Sequence, residues 1–327
     1  NLQLYRDLLH DLTSQDVINA NKHLFDDIYL NDPDSGIDYL TENSVDKAMK
    51  YRAKIEEKII KERGLDGIWE LEKVAKSGAA VASGFAALTG DQYRAVVYER
   101  YCNGGLSEAF VKQYFSNLYY MNKDNKEAYA SYIREMMEMN PDRIAVVMYA
   151  PGFYREYADM VESLSDTISL DYWQNVQRSG VYGSEDVPFI IDHLIRSKRY
   201  GDVLFFMRQK EVLAMMSSKQ KVEALYAIFR TEGLLVMSHQ AYHVGRILDT
   251  VELDGDMDME RKVESMEFYL YERLEHYLKD EHNHFRKAIN TKPELLMEII
   301  SAIFQSEVES EEPITEEKRV NREFMWH

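Results

Sequence analysis

Apolar residues along this chain recur at the spacing of one helical face. Val187, Ile190, Ile191, Leu194 and Ile195 fall at i, i+3, i+4, i+7 and i+8, which predicts an amphipathic helix. Ser184 and Asp186 precede this stripe as capping residues, and Pro188 fits a first turn. The pattern repeats in Val222, Leu225, Tyr226 and Phe229, and again in Val244, Ile247, Leu248 and Val251. A longer stripe runs through Met259, Val263, Met266, Leu270, Leu274 and Tyr277. Another joins Leu296, Ile299, Ile300, Ile303 and Phe304, opened by Thr291 and Pro293. The alternation of a half-buried strand is nearly absent. Its best candidate, "RIAVVMYA" at 143–150, follows the helix-start signal "NPD" and reads as a buried helix.

Short polar turns such as "SKRYGD", "RTEG" and "LDGDMD" separate these stripes. Short links between helices favour antiparallel neighbours. The expected fold is therefore all-α, with antiparallel helical hairpins stacked as an irregular, tetratricopeptide- or HEAT-like α-solenoid. No strict repeat period is visible. The expected organisation is an N-terminal helical pair over 1–40 and a hairpin array over 41–305, with a subdivision near 165–170. An acidic linker and the start of a further helix follow over 306–327. The first twelve residues already read as a helix, and the chain stops at "REFMWH", a newly begun apolar pattern. A fragment of a longer protein is the expectation.

Six prolines in 327 residues argue against a turn-rich β fold, and the 45% hydrophobic content argues against disorder. No apolar run reaches the roughly 18–20 residues of a membrane span, so no membrane partner is expected. The lone Cys102 excludes an internal disulfide and a cysteine zinc cluster, and fits a reducing cytoplasm. A net charge of −18, with the acid excess concentrated in the last quarter, opposes binding along a phosphate backbone. No segment concentrates basic residues, so nucleic acid is not an expected partner.

Five places invite a chemical reading. His239 and His243, in "HQAYH", are four apart and would share a face of one helix, as two zinc ligands can. A zinc peptidase needs Glu after the first His, and Gln240 stands there; packing histidines are the preferred reading. "LDGDMDME" alternates acids like a calcium loop, but Met259 and Ser265 occupy the positions requiring Gly and Glu, so a capped helix start explains it. "SGAAVASGFAALTGD" at 77–91 lacks the Gly-Lys-Ser/Thr of a phosphate loop and the spacing of a dinucleotide turn. Small residues instead suit close helix packing. "KDEHNHF" at 279–285 puts His282 and His284 on opposite sides of a helix and reads as a corner between two helices. Tyr154, Tyr157, Tyr172 and Trp173, in two aromatic clusters, are candidates for a partner-binding concave surface, since Tyr and Trp combine apolar area with a polar tip. No catalytic constellation emerges, and neither cofactor nor metal is implied.

From about residue 81 to 305 the order of segments resembles the helical C-terminal regions of large, mostly uncharacterised bacterial multi-domain proteins. The residues carrying the resemblance are "DYWQNV", "EDVPFIIDHLIRSKRYGDVLFFM", "VESMEFYLYERLEHYL" and "KPELLMEIISAIF". Some of those proteins are parts of NTP-dependent or defence-associated systems whose enzymatic module lies elsewhere in the chain. The resemblance implies a recognition or scaffold region and carries over no active-site residue. Asp202, Val203 and Phe205 depart from the small or leucine positions usual after its turn. The expected function is thus non-catalytic protein recognition or scaffolding, toward a protein partner or other domains of the same polypeptide. A helical metal enzyme using His239 and His243, or a small-ligand pocket between hairpins, are the alternatives.

Overall fold

A computed structural model describes residues 16–30, 37, 43–177, 183, 185–231, 234–253, 255–270, 287, 290 and 291. Among these the chain is all-helical, with no strand. The expected helix at 1–12, the linker at 306–317, the stripe from Leu296 to Phe304 and the corner at 279–285 lie outside the described residues, as do Leu274 and Tyr277. The chain divides into two compact units, Asn1–Val181 and Tyr182–His327.

Unit 1 contains α1 (Val17–Asn21), α2 (Ser44–Arg63), α3 (Asp66–Val74), α4 (Gly78–Thr89) and α5 (Arg94–Cys102). It continues with α6 (Glu108–Met121), α7 (Lys126–Met139), α8 (Ala145–Tyr149), α9 (Arg155–Glu162) and α10 (Asp166–Asn175). Local chemistry sets the starts. Ser77, Ser107, Asn125 and Ser165 each accept a hydrogen bond from a first-turn N–H of the following helix. The buried "IAVVMYA" stretch is helical, as its preceding "NPD" predicts: Asn140 accepts from Asp142 N and Pro141 opens a 3-10 turn before α8. Packing then runs between alternate helices, α2 on α4, α4 on α6, α6 on α8 and α8 on α10.

The small-residue helix α4 packs between α2 and α6 in that succession. Ala80, Val81, Ala82, Ser83, Phe85 and Ala86 are all buried. A Cβ at Gly84 would come within 2.3 Å of Glu56 Oε2 and 2.8 Å of Arg52 Cβ, both on α2. Bare backbone at Gly84 is what allows the two helices to approach. Gly90, at φ 56°, ends α4 in a backbone state that glycine adopts without a Cβ clash.

Buried tyrosines tie the layers together through their hydroxyls. Tyr98 donates to Asn140 O at 2.5 Å, Tyr114 to Gly90 O at 2.7 Å and Tyr129 to Val147 O at 2.7 Å. Each ring fills the core while its polar tip satisfies a carbonyl near a helix end.

Unit 2 contains α11 (Asp186–Arg196), α12 (Tyr200–Met207), α13 (Lys210–Met215), α14 (Ser218–Phe229), α15 (Leu234–His239), α16 (Ala241–Leu248) and α17 (Met257–Tyr269). The predicted stripes face inward: Val187, Ile190, Ile191 and Leu194 are buried, as are Val244, Ile247 and Leu248. The N-cap position of α11 is held by Glu185 rather than Asp186, and Ser184 lies outside the described residues. Asp186 sits in the first turn and accepts from Gly183 N at 2.9 Å. Asp256 caps α17 by accepting from Asp258 N and Met259 N, so the acid-rich loop is a helix start. Helix α14 is central, packed by α11, α15, α16 and α17, while α12 packs on α13, α15 and α16.

Candidate functional site

The end of α12, the α13 segment, one face of α14 and the last turn of α16 enclose an open pocket of about 410 Å³ in unit 2. Its apolar lining comes from Met207, Leu213, Ala214 and Ile247. Its polar lining is Arg208, Lys210, Lys221, Arg246, His243 and Thr250. Every charged group in that lining is basic. In a chain of net charge −18, the fold has gathered in space what the sequence never concentrates along the chain.

Three of the four basic residues, Lys221, Arg208 and Arg246, have partners that position them. Lys221, on α14, is buried, and its Nζ donates to Thr250 O at 3.3 Å and Thr250 Oγ1 at 3.2 Å. Thr250 Oγ1 in turn donates to Ile247 O at 2.7 Å, closing the end of α16. These two contacts anchor the ammonium at the pocket wall. Burial lowers the Lys221 pKa, and the nearby Glu252 carboxylate partly offsets that.

Arg208 follows the last turn of α12, and its Nη1 donates to His243 Nε2 at 3.2 Å. That bond leaves the imidazole proton on Nδ1. Burial, then the two flanking guanidiniums of Arg208 and Arg246, hold the His243 pKa below its ordinary 6.5. Aromatic rings back both arginines. The Arg208 guanidinium stacks 4.7 Å from the Phe205 ring centroid, and Arg246 lies 5.8 Å from that of Tyr242. Tyr242 also meets His243 edge-on at 5.1 Å. The stacking restrains two otherwise flexible side chains at the pocket. A neutral imidazole between fixed cations suits an incoming anion.

The same geometry answers the histidine-pair expectation. His239 is the last residue of α15 and His243 lies in α16; Gln240, at φ −113° and ψ 24°, breaks the helix between them. The four-residue spacing therefore does not place the two rings in one helical column. His239 is exposed, and His243 faces two arginines that would repel a metal cation. Among the described residues no group of three His, Cys, Asp or Glu side chains is placed to hold a metal.

The four aromatic candidates lie in unit 1. Tyr157, Tyr172 and Trp173 are buried, which removes them from any surface. Trp173 Nε1 donates to Glu162 Oε1 at 2.8 Å, and its ring meets Tyr172 edge-on at 5.4 Å. Tyr154 is half-buried between Tyr119 and Tyr157, with ring centroids at 5.2 and 5.7 Å. Aromatic density here reflects core packing, because large rings are what fill the gaps between short helices. Cys102 is half-buried, and burial pushes its thiol up, away from the thiolate form that reacts.

Comparison with protein-family models finds no match to the chain, and comparisons with curated proteins and with solved structures find none either. No helix of the described residues is long and apolar enough to cross a membrane.

Proposed function

We propose that this chain is a non-catalytic helical recognition module whose unit 2 binds a small organic anion. The observation that carries this reading is the convergence of Arg208, Lys210, Lys221 and Arg246 on one pocket lined by no acid. Its volume of about 410 Å³ falls within the roughly 300–1,000 Å³ of small-molecule sites. The apolar lining supplies burial for an organic body, and the cations orient its charged end.

Thermal denaturation of the full chain against a panel of aromatic and aliphatic carboxylates, sulfonates and phosphates tests the proposal. A ligand that binds only the folded state adds about 2.7 kcal/mol at one hundred times its Kd. At least one anion should raise Tm in a saturable way, and Arg246→Gln should abolish the rise. A panel without any saturable shift would remove the reading.

A further inference from the structure

We infer that the ligand of the unit 2 pocket is a small phosphomonoester, bound as its dianion between Arg208 and Arg246 with its apolar body against Leu213 and Ile247. The inference rests on the anion-binding reading above and narrows it to one chemical class. Three observations carry it.

The first is charge. Four basic side chains line a pocket with no acid among its lining. A carboxylate or sulfonate brings one negative charge and would leave most of that repulsion unrelieved. A phosphomonoester, with its second pKa near about 6, brings close to two charges at neutral pH, on three terminal oxygens. The net charge of −18 on the chain repels a dianion more than a monoanion at long range, so the preference rests on the short-range field of the pocket cations.

The second is donor geometry. Two guanidinium forks suit bidentate recognition of phosphate oxygens, and the aromatic rings of Phe205 and Tyr242 hold them in place before ligand arrives. Lys221 is fixed at the pocket wall by Thr250. His243, whose Nε2 accepts from Arg208, keeps its proton on Nδ1.

The third is size. Inorganic phosphate would leave most of the pocket, and all of its apolar lining, unfilled. A phosphorylated ring or short chain fills both parts, whereas a polymer or bilayer cannot enter a recess of about 410 Å³.

Calorimetric titration of the full chain at pH 7.5 provides the test, with phenyl phosphate, phenyl sulfate and inorganic phosphate as probes. The two phenyl esters are nearly isosteric and differ by about one charge. Phenyl phosphate should bind at least about tenfold tighter than phenyl sulfate, the effect of one added charge in a partly buried cationic site. It should also bind tighter than inorganic phosphate. Arg246→Gln, at an exposed position with Tm as the control for folding, should erase most of the preference. Phenyl sulfate binding as tightly as phenyl phosphate would refute the phosphoester assignment while leaving an anion pocket. Binding of none of the three would refute both. A preference unchanged in Arg246→Gln would overturn the location. Sedimentation with phosphatidate vesicles, in a chain that binds phenyl phosphate no tighter than inorganic phosphate, would assign the phosphoester to a lipid headgroup and overturn the small-molecule proposal.

Discussion

Glu56 lies where α2 packs on α4 in unit 1 and offers a sharp test of how the core is held. Its side chain is fully buried, and neither carboxyl oxygen has a hydrogen-bond partner. Arg52, one turn earlier on α2, is also buried, but it donates to the carbonyls of Leu24 and Ile28, each at 2.9 Å, and to that of Asp27. Burial pushes the Glu56 carboxyl well above its ordinary 4.5, and the attraction of Arg52 only partly opposes this. An unpaired buried polar group costs about 1–3 kcal/mol. Glu56→Met keeps the length of the side chain and removes both oxygens, so it should stabilise unit 1 by about 1–3 kcal/mol at pH 7.5.

The pH dependence has a definite sign. A carboxyl whose folded pKa is raised gives its full stability contribution below its unfolded value, near 4.5. That contribution falls as pH rises through the folded pKa. The advantage of Glu56→Met should therefore be smaller at pH 5 than at pH 7.5. Urea denaturation of the full chain, followed by circular dichroism at both values, measures it; the Tm shift for a domain of this size is about 2–4 °C per kcal/mol. A variant destabilised by more than about 1 kcal/mol at both pH values would show that Glu56 is an ionised partner of Arg52, and the reasoning would fail.

Three further outcomes follow from the same structure. Gly84→Ala pushes a methyl into Glu56 Oε2 and Arg52 Cβ and should lower stability by about 1–3 kcal/mol in chemical denaturation; a neutral result would show that α2 and α4 are further apart. Tyr129→Phe deletes the donor to Val147 O and should cost about 1–2 kcal/mol with little change in secondary structure; an unchanged denaturation midpoint would mean that the bond contributes nothing. The His243 ring resonance should titrate below the ordinary 6.5 in the free protein and move upward when phenyl phosphate binds, because a dianion favours the imidazolium; a midpoint at or above 6.5 without ligand would show that Arg208 and Arg246 do not flank it.

Much of the scaffold was legible along the chain. The stripe Val187–Leu194 and the stripe Val244–Leu248 lie buried on the predicted faces. "NPD" marks a real helix start, and the small-residue tract at 77–91 is a close-packed helix. What failed was orientation across helix breaks. "HQAYH" looks continuous, yet Gln240 separates two helices, because a polar residue between short apolar runs carries no sign of its backbone angle. Arg52 and Glu56 fit the surface pattern of an i, i+4 ion pair; tertiary packing buries both, Arg52 against the carbonyls of Leu24, Asp27 and Ile28 and Glu56 against Gly84 of α4.

Sequence alone determined the helical class and most of the inward faces, because helix periodicity, caps and turns are local properties read within a few residues. Tertiary structure alone decided which polar groups meet. The pocket cations at 208, 210, 221 and 246 come from separate segments, diluted in an acidic chain. Their proximity depends on how α12, α13, α14 and α16 pack, and that is set by contacts between residues far apart in the sequence, which no local pattern records.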